Sequence, residues 1–209
     1  MTEYSVNIER IKQDLYTVGR YGYNPEDQGI YRQGFSDEDM RARFWLEDQF
    51  AELGLEHYMD GAGNVVGRYG VKDHKSLIIA SHLDSVPAGG MFDGVLGVMA
   101  GLECVRVIKE NNIPLKHAIE VIATSEEEGR FGGMLGAQAL TGNLKLDWLE
   151  RAKDHSGELL RDAMAACQLP YHLALDAARD PEELIGFLEL HIEQGPVLEQ
   201  SNMSIGVVE

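Results

Sequence analysis

The residues that could do chemistry are concentrated in three short stretches, each directly after an apolar run. The stretches are SHLDS (residues 81–85), SEEEG (125–129) and HIEQG (191–195). Imidazole and carboxylate groups bind divalent transition metals and also act as general acids and bases. Because ligands of open α/β sheets bind beyond the carboxyl ends of the strands, we predict that the three stretches meet in one polar site.

The first stretch carries a histidine and an aspartate with a spacing that metal sites use. His82 and Asp84 are two residues apart, so in an extended segment they face the same side, and Asp84 could accept the ring N–H that His82 does not use for a metal. Asp93 follows a glycine-rich turn, PAGGMFDG, which lets the backbone come close. A lone histidine or Asp-Gly pair is usually structural. A phosphate cradle is disfavoured because the P-loop lysine and GxGxxG spacing are absent.

The second stretch raises the question of what three consecutive glutamates do at the end of a buried strand. Adjacent anions repel one another and are costly to remove from water. They therefore either remain in water as a solvated acidic loop, which is the usual state of a charge run, or are neutralised by cations. From the residues alone, both interpretations of Glu126, Glu127 and Glu128 stay open.

The order of the predicted elements indicates one α/β layered domain. A helical apolar pattern over residues 94–111 lies between two buried apolar runs, which predicts a βαβ unit. Ser36 is expected to cap the second helix and Gly54 to end it. The predicted helices cover residues 8–18, 36–53, 94–111, 134–140 and 157–167, and a further helix is predicted to begin at residues 181–184. The predicted strands cover residues 77–80, 119–123 and 187–195, and a β-hairpin is predicted with its turn at residues 60–63.

Composition and charge restrict the partners. Of 209 residues, 44% are hydrophobic and 25% charged, and 35 acidic against 18 basic residues give a formal net charge of −17. This charge repels phosphate backbones and attracts cations, so we expect no nucleic-acid partner. Without an apolar run of membrane length or a leader-like start, we expect a cytoplasmic protein with no membrane partner. Cys104 and Cys167 lack CxxC spacing and are expected to be buried thiols.

Three separated motifs, in order, carry a resemblance to a known family. SHLDSVPAGGMFDGVLGVMAGLE, ATSEEEGRFGG and LELHIEQGPVLE resemble the signatures of the hydantoinase/carbamoylase amidohydrolases, which comprise N-carbamoyl-L-amino-acid hydrolases, allantoate amidohydrolases and β-ureidopropionases. These enzymes are related to the dinuclear zinc exopeptidases and aminoacylases. The resemblance implies an α/β fold with three α/β/α layers and a mixed, largely parallel sheet, and it implies hydrolysis of carbamoyl or ureido C–N bonds of a small-molecule substrate.

The resemblance also implies roles for individual residues. The implied metal ligands are His82, Asp93, Glu128 and His191. Asp93 would bridge two ions, Glu127 would be the general base and Gln194 would touch the substrate. From its spacing to His82, Asp84 is expected to assist catalysis by orienting that ligand. Glu126 has no implied role and is expected to be solvated.

The family's cofactor is implied to be two divalent ions of Zn, Mn, Co or Ni. The chain resembles only the N-terminal portion of the catalytic domain over residues 1–209, without the lid and dimerisation domain or the return segment that carries a last histidine. We therefore expect at most one tightly bound ion and absent or impaired activity. The full-length relatives are implied to be homodimers, and the oligomeric state of this chain stays open. The final SIGVVE run is expected to be a strand interrupted at Glu209.

Two other functions remain open from the sequence. The first is an aminoacylase or dipeptidase, which HIEQG disfavours because the peptidase relatives usually have a carboxylate where this sequence has His191. The second is a metal-binding or assembly fragment without catalysis. A hydrolysis assay with added Mn²⁺ or Zn²⁺ distinguishes a non-catalytic fragment from an enzyme.

Overall fold

A mixed five-stranded sheet forms the centre of the protein in a computed structural model that describes residues 4–71 and 75–208. The strands are β1 (Glu56–Met59), β2 (Val65–Tyr69), β3 (Ser76–His82), β4 (Ala118–Thr124) and β5 (Leu184–Leu188). The α-helices are α1 (Ile8–Val18), α2 (Asp37–Glu52), α3 (Val95–Glu110), α4 (Leu135–Leu140), α5 (Leu146–Arg151), α6 (Leu160–Ala166) and α7 (Val197–Gln200). Two 3₁₀ helices cover Tyr171–Ala177 and Pro181–Glu183.

The sheet topology aligns the ends of the strands that carry the polar stretches. The strand order is β1-β2-β4-β3-β5. β3 and β4 are parallel and connected through α3, which confirms the predicted βαβ unit, and their register pairs His82 with Thr124. β5 is also parallel to β3, whereas β1, β2 and β4 pair antiparallel. The segments after β3 and β4 therefore leave the sheet at the same edge.

Helices cover both faces of the sheet, which confirms the three-layer architecture. On one face, apolar residues of α1, α2 and α3 form one cluster with alternate residues of β4, including Val121 and Ala123; α3 packs on β3 and β4, α2 on β1 and β2, and α1 on α3. On the other face, Ile122 packs with Leu140 of α4 and with Leu184. This alternation follows from the period of two in a strand, and a strand that is buried on both faces is apolar at nearly every position.

The ends of α2 form largely as their residue types predict. Ser36 accepts the N–H of Asp39, and Gly54 follows the helix with φ of 65°. The carboxylate of Asp39 accepts the N–H of Phe35 rather than that of Ser36, so the pattern is one residue displaced from a capping box.

Several predictions of local structure were wrong. The last strand starts at Leu184, three residues earlier than the predicted start at residue 187, and ends at Leu188, whereas His191 does lie beyond the strand end, as the site prediction requires. Residues 204–208 form no strand and are exposed, and Glu209 lies outside the described residues. Cys104 is exposed rather than buried because it faces outward from α3.

In residues 4–71 and 75–208, no helix combines the length and apolar composition needed to cross a membrane.

Candidate metal centre

His82 ends β3 with one ring nitrogen engaged and the other free for a ligand. Its side chain is 2% exposed, and Nδ1 lies 3.0 Å from the carbonyl oxygen of Asp84. Because a carbonyl only accepts, Nδ1 carries the proton and Nε2 presents a lone pair. The prediction that the Asp84 carboxylate would accept this proton was wrong, since that carboxylate is 3.9 Å from Nδ1. The strand ends at His82, so the alternation of an extended chain no longer applies.

The carboxylate of Asp84 instead connects two of the polar stretches. It is 1% exposed, and its Oδ2 accepts the backbone N–H of Glu128 at 3.0 Å. Its Oδ1 lies 3.9 Å from the guanidinium of buried Arg43 and has no hydrogen-bond partner among the described residues. Asp84 thus holds the segment after β4 against the segment after β3.

His82, Asp93 and His191 form the first group of candidate ligands. Their donor atoms all lie within 4.8 Å of one another. Nε2 of His191 is 3.4 Å from Nε2 of His82 and 3.2 Å from Oδ1 of Asp93. His191 Nδ1 lies 2.9 Å from the carbonyl oxygen of Ile192, so its Nε2 is also unprotonated when the ring is neutral.

This first group fits a divalent transition metal. Two imidazole lone pairs point at the same space, which is repulsive unless a cation lies between them. Oδ1 of Asp93 is buried and has no hydrogen-bond partner among the residues described. A mixed imidazole and carboxylate donor set suits Zn²⁺, Mn²⁺, Co²⁺ or Ni²⁺.

A second candidate group shares His82 with the first and consists of His82, Glu127 and Glu128. Oε2 of Glu127 lies 3.6 Å from Nε2 of His82. Burial raises the pKa of Glu128, His82 opposes this rise, and the neighbouring carboxylates of Asp93, Glu127 and Asp84 add to it. The excess of negative charge favours a bound cation at this edge of the sheet.

Glu126 is buried, so the prediction that it is solvated was wrong. Its exposure is 0%, and its carboxylate accepts the backbone N–H groups of Phe131 and Gly133. Burial raises its pKa to about 7, and the bonds from these N–H groups oppose the rise. Only Glu127 and Glu128 of the three glutamates are directed to the ligand group, because Glu126 has a φ of 49° and folds back into the loop.

Gly94 is required by the position of the His82 ring. It precedes α3 with φ of 65°, and a Cβ at this position would lie 2.5 Å from three atoms of that ring. The glycine-rich turn therefore brings the backbone against the site, as predicted. Gly97, one turn further along α3, similarly allows the carbonyl of Leu190 to approach, since a Cβ there would be 2.3 Å from its oxygen.

Gln194 contacts a candidate ligand in this structure. Its φ is 56°, and its side-chain amide donates a hydrogen bond of 2.6 Å to Oδ2 of Asp93. The bond leaves Oδ1 of Asp93 directed to His191. The role of Gln194 toward a substrate stays a prediction.

A buried arginine that the sequence patterns did not identify lies beneath the site. Arg43 of α2 is 0% exposed, bonds Asp39 at 2.9 Å and donates to the carbonyls of Gly63 and Thr124. The i,i+4 spacing of Asp39 and Arg43 on a predicted helix was the available signal, but such pairs are normally exposed. Here the guanidinium of Arg43 lies 3.9 Å from the carboxylate of Asp84, and its positive charge stabilises that buried carboxylate.

The layers and the site together define an α/β protein with a candidate metal centre beyond its parallel strand ends. Residues 78–208 match the model described as Peptidase family M20/M25/M40, and the chain belongs to this family.

Relatives within the family confirm the resemblance to hydantoinase/carbamoylase amidohydrolases. An N-carbamoyl-L-amino acid amidohydrolase of Geobacillus stearothermophilus is 41% identical over 205 residues, covering 96% of this chain and 49% of that protein. Allantoate deiminase 1 of Glycine max is 38% identical, with 93% of this chain and 41% of that protein covered. An amidase of the hydantoinase/carbamoylase family from Burkholderia phymatum has a TM-score of 0.87 at 35% identity, with 97% and 49% covered. The chain therefore spans about half the length of the curated relatives it matches.

Proposed function

We propose that this chain carries the metal site of an amidohydrolase that cleaves carbamoyl or ureido C–N bonds, in N-carbamoyl amino acids or allantoate-like substrates. The observation that carries the proposal is the convergence of His82, Asp93 and His191 with Glu127 beside them. The names of the relatives supply the substrate class.

The metal ligands we propose are His82, Asp93 and His191. Glu128, which belongs to the second candidate group, is a further proposed ligand. A bound divalent ion of Zn, Mn, Co or Ni would polarise the substrate carbonyl and lower the pKa of a coordinated water. Asp84 would act indirectly, since it holds the Glu128 backbone while its own carbonyl orients His82. Partners of this kind typically change metal affinity or activity by about 10–100-fold.

Glu127 is the proposed general base. Its side chain is 35% exposed, so water and substrate reach it, and its Oε2 is near Nε2 of His82. It would take one proton from the attacking water and deliver it to the leaving nitrogen, while the water oxygen bonds to the carbamoyl carbon. With an N-carbamoyl amino acid, the bond between the carbamoyl carbon and the amino-acid nitrogen breaks, and the carbamate that is released decomposes to CO₂ and ammonia. Such proton transfer generally contributes about 10²–10⁴-fold.

Gln194 is the proposed substrate contact. Its amide already reaches the site edge, where it donates to Asp93. An amide offers both a donor and an acceptor, as a carbamoyl group does, so it could exchange the bond to Asp93 for one to substrate.

The test compares hydrolysis of an N-carbamoyl-L-amino acid, an N-acetyl-L-amino acid and allantoate with added Mn²⁺ or Zn²⁺. We expect little turnover from the 209-residue chain alone, because it spans half of its relatives. The informative sample is therefore a chimera in which this chain replaces the matching half of the Geobacillus protein. Release of ammonia from the carbamoyl substrate, lost in the Glu127→Gln chimera, supports the proposal. A preference for the N-acetyl substrate would instead indicate an aminoacylase, and a chain that binds metal in an inactive chimera would indicate a metal-binding fragment.

A further inference from the structure

We propose that Glu126 is a positioning residue that holds the loop carrying Glu127 and Glu128 in its metal-binding conformation. The inference rests on the proposed function and assigns a role to the one glutamate of the three that the chemistry does not use. Residues 127–134, which follow Glu126, are called the glutamate loop.

The carboxylate of Glu126 lies inside this loop and is bonded by the loop's own backbone. Oε1 accepts the N–H of Phe131, and Oε2 accepts the N–H of Gly133 at 3.1 Å. The side chain thus closes a ring around the two glutamates that follow it. Both oxygens are occupied, so Glu126 cannot serve as a ligand in this arrangement.

The shape of the glutamate loop depends on individual side-chain contacts. It contains no helix or strand, and its backbone has positive φ at Gly129, Gly132, Gly133 and Met134. Chain segments with several left-handed residues have no regular ladder of hydrogen bonds, so side-chain acceptors must satisfy their N–H groups. The Glu126 carboxylate supplies two of these acceptors and the Asp84 carboxylate, which accepts the N–H of Glu128, supplies a third. At the loop's end the N–H of Met134 bonds the carbonyl of Glu127.

Glu126 is in turn held from outside by the segment before α2. Gly34 packs on it so closely that a Cβ at Gly34 would lie 2.8 Å from Cγ of Glu126. The carbonyl of Gly34 accepts a bond from Arg130 of the same loop at 3.0 Å. A fully buried carboxylate is costly unless every lone pair has a role, and here the donors are backbone N–H groups rather than a cation. The position of Glu126 is therefore specified on both sides.

The experiment uses Glu126→Gln in the full chain. The variant keeps the size of the side chain, but its NH₂ group faces a backbone N–H and one bond is lost. Two readouts are measured: amide hydrogen exchange of Phe131 and Gly133 in the metal-free protein, and Co²⁺ titration followed by visible absorption. Glu120→Gln is the matched control, because Glu120 is also a buried glutamate but lies in β4, before Glu126, where arginines bond it away from the site.

We expect faster exchange at Phe131 and Gly133, a Co²⁺ affinity reduced by about 10–100-fold and an altered absorption spectrum at saturation. Glu120→Gln should lower stability but leave the Co²⁺ affinity and spectrum unchanged. If Glu126→Gln does not fold, Gly34→Ala provides the second test, since its methyl group displaces the Glu126 side chain. Unchanged amide exchange and affinity in the folded variant would overturn the inference. Absence of Co²⁺ binding by the unmodified chain would instead overturn the proposed function, and the amide exchange would still decide the role of Glu126.

Discussion

His82 has a single ring nitrogen free for a ligand, and two neighbouring residues fix the orientation of its ring. The carbonyl of Asp84 takes Nδ1, and Gly94 leaves space for the ring. Nε2 then points at Nε2 of His191 and toward Glu127.

Glu127→Gln should abolish turnover of the carbamoyl substrate in the active chimera while metal content stays near normal. The amide cannot take a proton, but it is similar in size and leaves His82, Asp93 and His191 in place. We expect kcat to fall by at least about 10²-fold. Metal analysis of the same samples is the control, and loss of metal together with activity would mean that the roles of Glu127 and Glu128 are exchanged.

Gly94→Ala should disrupt metal binding more than it disrupts the fold. The added Cβ would meet the His82 ring at 2.5 Å in a backbone conformation with φ of 65°, so the ring or the turn must move. We expect at least about a 10-fold loss of metal affinity, measured by isothermal titration. Gly90→Ala in the same turn is the matched control, since its Cβ would have nothing within 4 Å. Equal effects of the two substitutions would contradict the assignment.

The ligand types at the site could be predicted from the motifs, but the atoms that orient them could not. Whether the backbone carbonyl or the side-chain carboxylate of Asp84 bonds His82 depends on the residue at which β3 ends. A short sequence pattern does not fix a strand end to within one or two residues. The burial of Arg43 and Glu126 depends on partners that are distant in sequence. Charge runs are usually exposed, so the residue types alone indicated the wrong environment for Glu126.

At the scale of elements, a charged cluster fastens β4 to its neighbours at the end away from the site. Glu120 of β4 accepts two hydrogen bonds from Arg179, one from Ser76 of β3 and one from Arg68 of β2. Burial by itself would raise the pKa of Glu120, but the bonds from Arg179, Ser76 and Arg68 together with the charge of Arg179 lower it below its ordinary value.

Glu120→Gln should therefore lower the free energy of unfolding at pH 7 by about 1–3 kcal/mol. Because the folded-state pKa is lower than the unfolded one, the stabilisation is present above the unfolded value of about 4.3. It is lost as pH falls through the folded pKa, so the difference between the two proteins should shrink in acid. Urea unfolding over this pH range is the measurement. Glu182, exposed and paired with Lys75, offers the control Glu182→Gln, for which little change is expected. A constant difference at all pH values would show that ionisation of Glu120 is not involved.

The elements themselves differ in how far the sequence predicts them. β3, β4 and α3 have continuous apolar runs or helical periodicity and were predicted to within a few residues. α5 was missed. β5 was placed too late because FLELHIEQG alternates apolar and polar residues, whereas the strand that forms has little burial to enforce such a pattern.

At the scale of the whole molecule, the number of metal ions follows from the sharing of one residue. Both candidate ligand groups require His82, and its Nδ1 is engaged with a carbonyl. With His82 in the group of Asp93 and His191, the second group retains only Glu127 and Glu128, and two carboxylates hold a transition metal poorly. The net charge of −17 adds weak, unspecific attraction for cations, which salt screens.

We therefore expect at most one tightly bound ion per chain. Metal analysis after exhaustive dialysis in moderate salt should find no more than one equivalent, and titration of the metal-free protein should show one strong site. His191→Ala should lower this to no tight site. Two ions retained with comparable affinity would show that another residue, or a neighbouring molecule, supplies the missing ligands.

The position of His191 also has a consequence for how fast an ion leaves. It follows β5, an edge strand that pairs with β3 alone among the strands described and whose residues Ile185, Phe187 and Leu188 are about half exposed. Such an edge opens more readily than the central strands, and each opening withdraws one imidazole while His82 stays fixed. Release should therefore be gated by the strand. With increasing chelator the rate of metal loss should reach a plateau equal to the opening rate of β5, whereas a rate that rises without limit would indicate direct attack on the ion.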